Sequence, residues 1–441
     1  MKTTGLLSLC LCLFSSLYAQ PSLVLRNVTV IDMTGAPAKP GSTVVISGKR
    51  IISVGPASAA NIPPQANIIN AKGKYLIPGL WDAHVHLSKA GEQSLALFIA
   101  NGVTSVRDMG GDIVPVLQWR KEIAAGKRIG PRIKTAGPMM ETAKNVERMK
   151  KEGTVEPVAR TRAAVAGAAA AAHVVDSIAA LGADFLKIRT VKDDSTYLAI
   201  AAAAQRKGLI LTGHAVVSPQ LILQAGQRSI EHFFYPPPER RDSQRIRLFR
   251  RMAAKEIFIV PTLASVESQF VPLQRAVAII NDSTGKVEQR RKYLSGYIIE
   301  DWKEQIAERK LYPFDWNELV PAVLQDLRDM HAAGMPFMAG TDLAIAFVYP
   351  GFSLHDELQL MVKKLGLTPM EALAAATIQP ARFFHMEDSL GTVEPGKIAD
   401  LVLLDANPLT DIGSTRKINA VILDGKYFSQ ERLQELLKVN R

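Results

Sequence analysis

LIPGLWDAHVHL, residues 76–87, is a short apolar run that closes on two histidines, His84 and His86, spaced two apart. Alternate side chains of an extended strand share a face, so both imidazoles can meet one ion. Seven further apolar segments follow: VTSVRDMG, RIKTAGPM, DFLKIRT, LILTGHA, SIEHFFY, IFIVPTL and PFMAGTD, each trailed by a helical stretch or a helix-containing loop. Eight strands alternating with helices over residues 76–388 predict parallel βα units. The expected class is therefore α/β, a (β/α)8 TIM-type barrel, with an open doubly wound sheet as the runner-up. No GxGxxG follows a strand and no GxxxxGK[ST] occurs, so the phosphate-cradling loops of nucleotide enzymes are missing.

On both sides of this region the texture changes. SLVLRNVTVID, STVVISG and RIISVG alternate apolar and polar residues between Gly, Pro and Asn, and the pattern returns in GTVEPGKIADLVLLD and INAVILDGKYF. Residues 20–75 plus 389–430 are thus expected to form one small β-sandwich assembled from both termini. Within the barrel, AAVAGAAAAAHVVDSIAALGA reads as a helix. A polar insert at about 264–319, between strands seven and eight, is too long for an ordinary βα loop and reads as a lid.

MKTTGLLSLCLCLFSSLYAQ opens the chain with Lys2, an apolar run and small residues before Ala19. This is the pattern of a signal peptide, residues 1–19, and predicts a secreted or periplasmic protein. No later segment is long and apolar enough to span a bilayer. Both cysteines, Cys10 and Cys12, lie in this leader, so a metal site in the mature chain must use histidines and carboxylates. Zinc ribbons, cysteine hydrolases and Cys-ligated nucleobase deaminases are excluded together. The net charge of +11 is concentrated in Glu239 to Lys255, where seven Lys or Arg meet two acids beside an apolar stripe of Ile246, Phe249, Ala253 and Ile257. That reads as a solvated outer helix. No aromatic-basic motif supports nucleic-acid binding, the expected partner is a small-molecule substrate, and a homo-oligomer stays open.

His214 closes LILTGHA, His232 closes SIEH and Asp342 closes PFMAGTD, all at carboxyl ends of predicted strands, where barrels of this kind build their sites. Lys187, inside the apolar strand DFLKIRT, is costly to bury as a cation. It needs an ion-pair partner, a neutral state or a modification, and carbon dioxide would convert it into a bidentate carboxylate able to bridge two ions. His173, His331 and His385 read as packing or surface residues.

In order along the chain, PGLWDAHVHL, GVTSVRDMG, ADFLKI, TGHA, SIEH, AGTD, LTPMEALAAATIQPAR and LGTVEPGKIADLVLLDANP resemble the amidohydrolase superfamily of metal-dependent hydrolases, in its imidazolonepropionase-like and prolidase-like group. The resemblance covers nearly all of the chain after the leader. It implies two divalent metal ions. His84, His86 and Asp342 would bind the first, His214 and His232 the second, and Lys187, as N6-carboxylysine, both. Oxygen and nitrogen ligands suit Zn²⁺. A metal-bridging hydroxide would attack an amide, with Asp342 as general base turned general acid, hydrolysing a C–N bond in a dipeptide, an N-acyl amino acid or a cyclic amide. Arg107 and Asp108 would tie the second strand to its surroundings.

The chain also departs from that group. Gly137, Pro138, Met139, Met140 and Glu141 stand where prolidase-like relatives place a carbonyl-polarising His, and Arg189 and Lys192 replace a small Gly-rich turn after Lys187. Arg189 and Tyr235 are candidate substrate contacts, as is His355, and Glu141 or His355 is the next candidate proton shuttle after Asp342. The rival readings are a mononuclear imidazolone-type hydrolase or deaminase, whose family pattern lacks the bridging lysine, and a non-catalytic binding protein on a barrel scaffold.

Overall fold

A computed structural model describes residues 22–153, 157–234, 243–294, 296–311 and 316–438. The expected signal peptide, residues 1–19, and Tyr235 lie outside them. Leu80–Val85, Val103–Asp108 and Arg132–Thr135 form a three-stranded sheet. A six-stranded sheet runs Arg162–Val165, Met139–Thr142, Phe185–Ile188, Ile210–Ala215, Ser229–Phe234 and Phe258–Val260, and every pairing in both is parallel. Asp184 N donates to Thr135 O (2.8 Å) where the sheets meet. Alternation along each strand divides its side chains: Ile257 and Ile259 enter the large core shared with the helices, while Phe258 and Val260 pack with Ala83, Met338 and Phe383.

The expected eighth strand is not a regular strand. PFMAGTD contributes isolated bridges, Phe337 to Ile259 and, just beyond, Leu343 to Val85. The physical reason is that its hydrogen bonds are shared out. Met338 N donates to Ile259 O and Asp342 N to His84 O, while Thr341 N is taken by the Asp82 side chain and Ala339 N by Ala375 O. The parallel strands accordingly stand in two sheets joined at seams rather than in one continuous ladder.

Strands from both termini pair into one mixed eight-stranded sheet, in the order Lys426–Ser429, Ile418–Leu423, Leu401–Leu404, Tyr75–Pro78, Leu23–Val30, Lys39–Ser47 and Arg50–Pro56, with Asn67–Asn70 beside Leu23–Val30. Leu25, Val44, Ile46, Leu401, Leu403 and Ile422 form its core, and an antiparallel bridge joins Arg50 to Ile398. The Ala-rich segment is helical only over Ala168–Ala180, because Arg162–Val165 is an edge strand. The long insert is itself helical, with Leu263–Ser268, Leu273–Asn281, Tyr297–Leu311 and Trp316–Ala332. Among the described residues no helix is long and apolar enough to cross a membrane.

Candidate metal centre

His84, His86, Lys187, His214, His232 and Asp342 converge at the carboxyl ends of the parallel strands. His84 and Lys187 are buried, and His84 Nε2 lies 3.3 Å from both Lys187 Nζ and Asp342 Oδ1. His86 Nε2 is 3.5 Å from the same Asp342 oxygen. The His232 ring centre lies 4.9 Å from those of both His84 and His214, tilted against the first and edge-on to the second. Ligand atoms of His84, His232 and Asp342 all fall within 4.8 Å of one another.

Second partners fix how three of these rings stand. His84 Nδ1 donates to Glu231 Oε2 (2.9 Å) and His86 Nδ1 to Gly110 O (2.6 Å), while His232 Nδ1 is hydrogen-bonded to Thr262 Oγ1 (2.8 Å). Engaging Nδ1 leaves Nε2 as the free donor atom, the arrangement that metal-ligating histidines adopt. Burial and the Lys187 charge push His86 down to about 4, and burial holds His84 and His214 well below the ordinary imidazole value. Burial thus favours the neutral imidazole that ligation requires. Burial works to raise Asp342, yet the imidazoles of His84, His232 and His86 hold it well below the usual carboxylate range. Burial pushes the Lys187 amine down to about 8, against the pull of Asp342 and Glu231. Among the described residues no carboxylate reaches Lys187 at ion-pair distance. The donor set thus fits divalent metal.

The backbone here is unusual. His232 (φ 68°), Asp342 (φ 58°) and Thr262 (φ 48°) all occupy the left-handed region. Gly340 allows the approach beneath, since a Cβ there would lie 2.8 Å from His84 N, and at Gly213 one would lie 2.2 Å from Ile188 O.

Glu231 carries no signal in the sequence, although it binds three groups at once. It accepts from His84, from Arg107 Nη2 (2.7 Å) and from Ser229 Oγ (2.5 Å). Arg107 also donates to Ala83 O, tying the second strand inward as expected. Removing one member of a buried charge pair costs about 3–5 kcal/mol. Glu231→Ala is therefore expected to lower unfolding free energy by roughly that amount, read in denaturant. Loss of the His84 anchor should weaken metal affinity about 10- to 100-fold, read by chelator competition.

A cavity of about 1060 Å³ opens over these residues, with Arg162, Arg189 and Lys192 on its wall. Ser265, Gln269, Gln305, Glu308, Arg309 and Trp316 of the insert also line it. Gln305 Nε2 donates to Ala344 O (2.8 Å), which fastens the insert to the loop after Asp342. Two expectations fail. His355 is not on the cavity wall but buried in Phe352–Leu360, with Nδ1 bonded to Thr415 Oγ1 (2.9 Å) and Nε2 to Asn101 O (3.1 Å). Both ring nitrogens are spent on packing, and burial pushes its pKa down to about 3. Glu141 is no poised base either, because its carboxylate already accepts from Asn145, Arg189 and Thr190.

The sequence profile of the amidohydrolase family matches residues 75–427. The chain belongs to the amidohydrolase family. An adenine deaminase of Rubrobacter xylanophilus is 23% identical over 88% of this chain, which spans 54% of the deaminase. An ochratoxinase of Aspergillus niger is 26% identical over 89% of the chain and 83% of its own length. A Xaa-Pro dipeptidase with methionine bound in its active site superposes with a TM-score of 0.70 at 22% identity, over 92% of this chain and 100% of that one, a likeness of fold.

Proposed function

We propose that this protein is an exported, binuclear metal-dependent amidohydrolase that hydrolyses an amide C–N bond of a dipeptide, an N-acyl amino acid or a cyclic amide. The observation that carries this is the buried Lys187 amine, set against His84 and amid three more histidines and Asp342, with no carboxylate partner of its own among the described residues. A lone cation is costly there, and carbon dioxide turns it into a ligand. On this reading His84, His86 and Asp342 hold one ion, His214 and His232 the other, and carboxylated Lys187 both, with Zn²⁺ the metal that the ligands suit. The lysine favours this over the mononuclear rival. The eight segments of residues 76–388 are read as a (β/α)8 barrel, supported by the parallel pairing and the seam bonds. The terminal segments expected at 20–75 and 389–430 are read as one small sandwich, a reading supported by the bridge from Arg50 to Ile398 that brings the far strand of their sheet back towards the other end.

When bound, the ions activate water and polarise the scissile carbonyl. Asp342 takes a proton from the attacking water at a carboxylate oxygen and passes it to the leaving nitrogen. Glu231 and Arg107 keep His84 Nε2 turned inward, and Gly110 O does the same for His86.

Elemental analysis of the purified protein, with a hydrolysis screen of N-acyl amino acids, Xaa-Pro and Xaa-Arg dipeptides, lactams and lactones, tests the reading. Two divalent ions per chain and amine release are expected. One ion with full activity would install the mononuclear reading, and no hydrolysis of any amide the binding-protein reading. N-terminal sequencing of the exported protein should begin at Gln20.

A further inference from the structure

The strand Met139–Thr142 lies between two others, Arg162–Val165 on one side and Phe185–Ile188 on the other. Glu141 on the middle strand is buried. Its Oε1 accepts from Arg189 Nη1 at 2.7 Å and lies 3.6 Å from Arg162 Nε, while Oε2 accepts from Asn145 Nδ2 (2.6 Å) and Thr190 Oγ1 (2.5 Å). One carboxylate is therefore hydrogen-bonded to Arg189 and, at longer range, ion-paired with Arg162, and the trio keeps a net positive charge. Arg162 is pinned further by Nη1 donating to Thr161 O at 3.0 Å. Both arginines face the cavity, as does Lys192 on the same wall. Arg189 stands two residues beyond Lys187 in sequence, close enough for its charge to act on Lys187, His214 and His232.

Long cationic side chains at a cavity mouth are commonly left to solvent. Here a buried acid restrains Arg189 through a hydrogen bond and Arg162 through a longer ion pair, which lowers the entropy lost when they grip a ligand. A planar fork of N–H donors matches a carboxylate. We propose that the cavity takes amides bearing a free carboxylate, bound by Arg189 and Arg162, with Glu141 as the positioning residue that aims both. This rests on the hydrolase reading and narrows it: N-acyl amino acids and dipeptides carry the required anion, whereas neutral lactams do not.

The test uses matched pairs, N-acetyl-L-amino acids and their carboxamides, across the range of side chains. Hydrolysis is followed by acetate release from the metal-loaded enzyme, and binding by calorimetric titration of metal-loaded Asp342→Asn protein. A charge-assisted hydrogen-bond pair should favour the carboxylate by about 10- to 150-fold in kcat/KM and in Kd. Arg189→Gln and Arg162→Gln should each bring that ratio toward one, with melting temperature and metal content kept. Arg189, the more exposed of the two, is the variant least expected to disturb folding. Equal handling of carboxylate and carboxamide, or a preference that survives both substitutions, would overturn the proposal. If the preference appears in calorimetry while no amide is cleaved, the hydrolase reading fails and the anion site stands. If amides are cleaved without preference, the reverse holds.

Discussion

Lys187→Ala is expected to cut kcat/KM by roughly 1,000-fold or more, since on the proposed reading several kcal/mol of transition-state charge stabilisation would depend on the metal pair. Elemental analysis should show the chain holding fewer than two ions. The amine is buried 3.3 Å from His84 Nε2, and on the proposed reading alanine removes the group that would hold both ions. Intact mass should show a carbon dioxide adduct on the wild-type protein and none on the variant, and reloading of stripped enzyme should require bicarbonate as well as metal. Full reloading without bicarbonate, or a variant that keeps two ions and its rate, would rule out the bridge.

The second large effect concerns Asp342. Asparagine preserves its size and one oxygen but cannot accept a proton, so Asp342→Asn should lose about 100- to 10,000-fold in kcat. Much of the metal should remain, because four histidines and Lys187 keep their places. Single-turnover kinetics with metal content measured on the same sample separates the two roles. If near wild-type kcat persists with metal bound, Asp342 is not the shuttle. Glu141 and His355 could not take over from where they stand, being committed to Arg189 and Thr190 on the one hand and to Thr415 and Asn101 on the other.

The histidines could be read from the sequence because each interrupts an apolar run at its carboxyl end, and Lys187 because a cation inside such a run demands explanation. Strict alternation, however, gives a wrong face for His232. It places Ser229 and Glu231 inward and Ile230 in the outer core, as found, and would send His232 outward with Ile230. The left-handed turn at His232 brings it in, and no local pattern in SIEH announces it. Glu231 escaped notice for a related reason, since its partners His84 and Arg107 lie more than a hundred residues away. Arg162 was hidden by composition: RTRAAVAG runs into an Ala-rich helix, and only pairing with Met139–Thr142 makes it a strand. His355 misled because a histidine near other family motifs invites a chemical role, whereas its helix buries it. PFMAGTD reads as extended and does supply Asp342, but competition from the Asp82 side chain for Thr341 N is a tertiary effect.

His232, Asp342 and Thr262 each hold a conformation that costs a non-glycine residue about 1 kcal/mol or more, and it suits a β-branched threonine least. Glycine or asparagine would relieve that cost at all three positions. Selection for heat tolerance alone would therefore drift toward such replacements, and it would remove the imidazole at His232 and the proton-accepting carboxylate at Asp342. Improvement of this enzyme for harsher conditions has to be sought elsewhere, in the terminal sheet or the outer helices, with these three backbone turns left as they are.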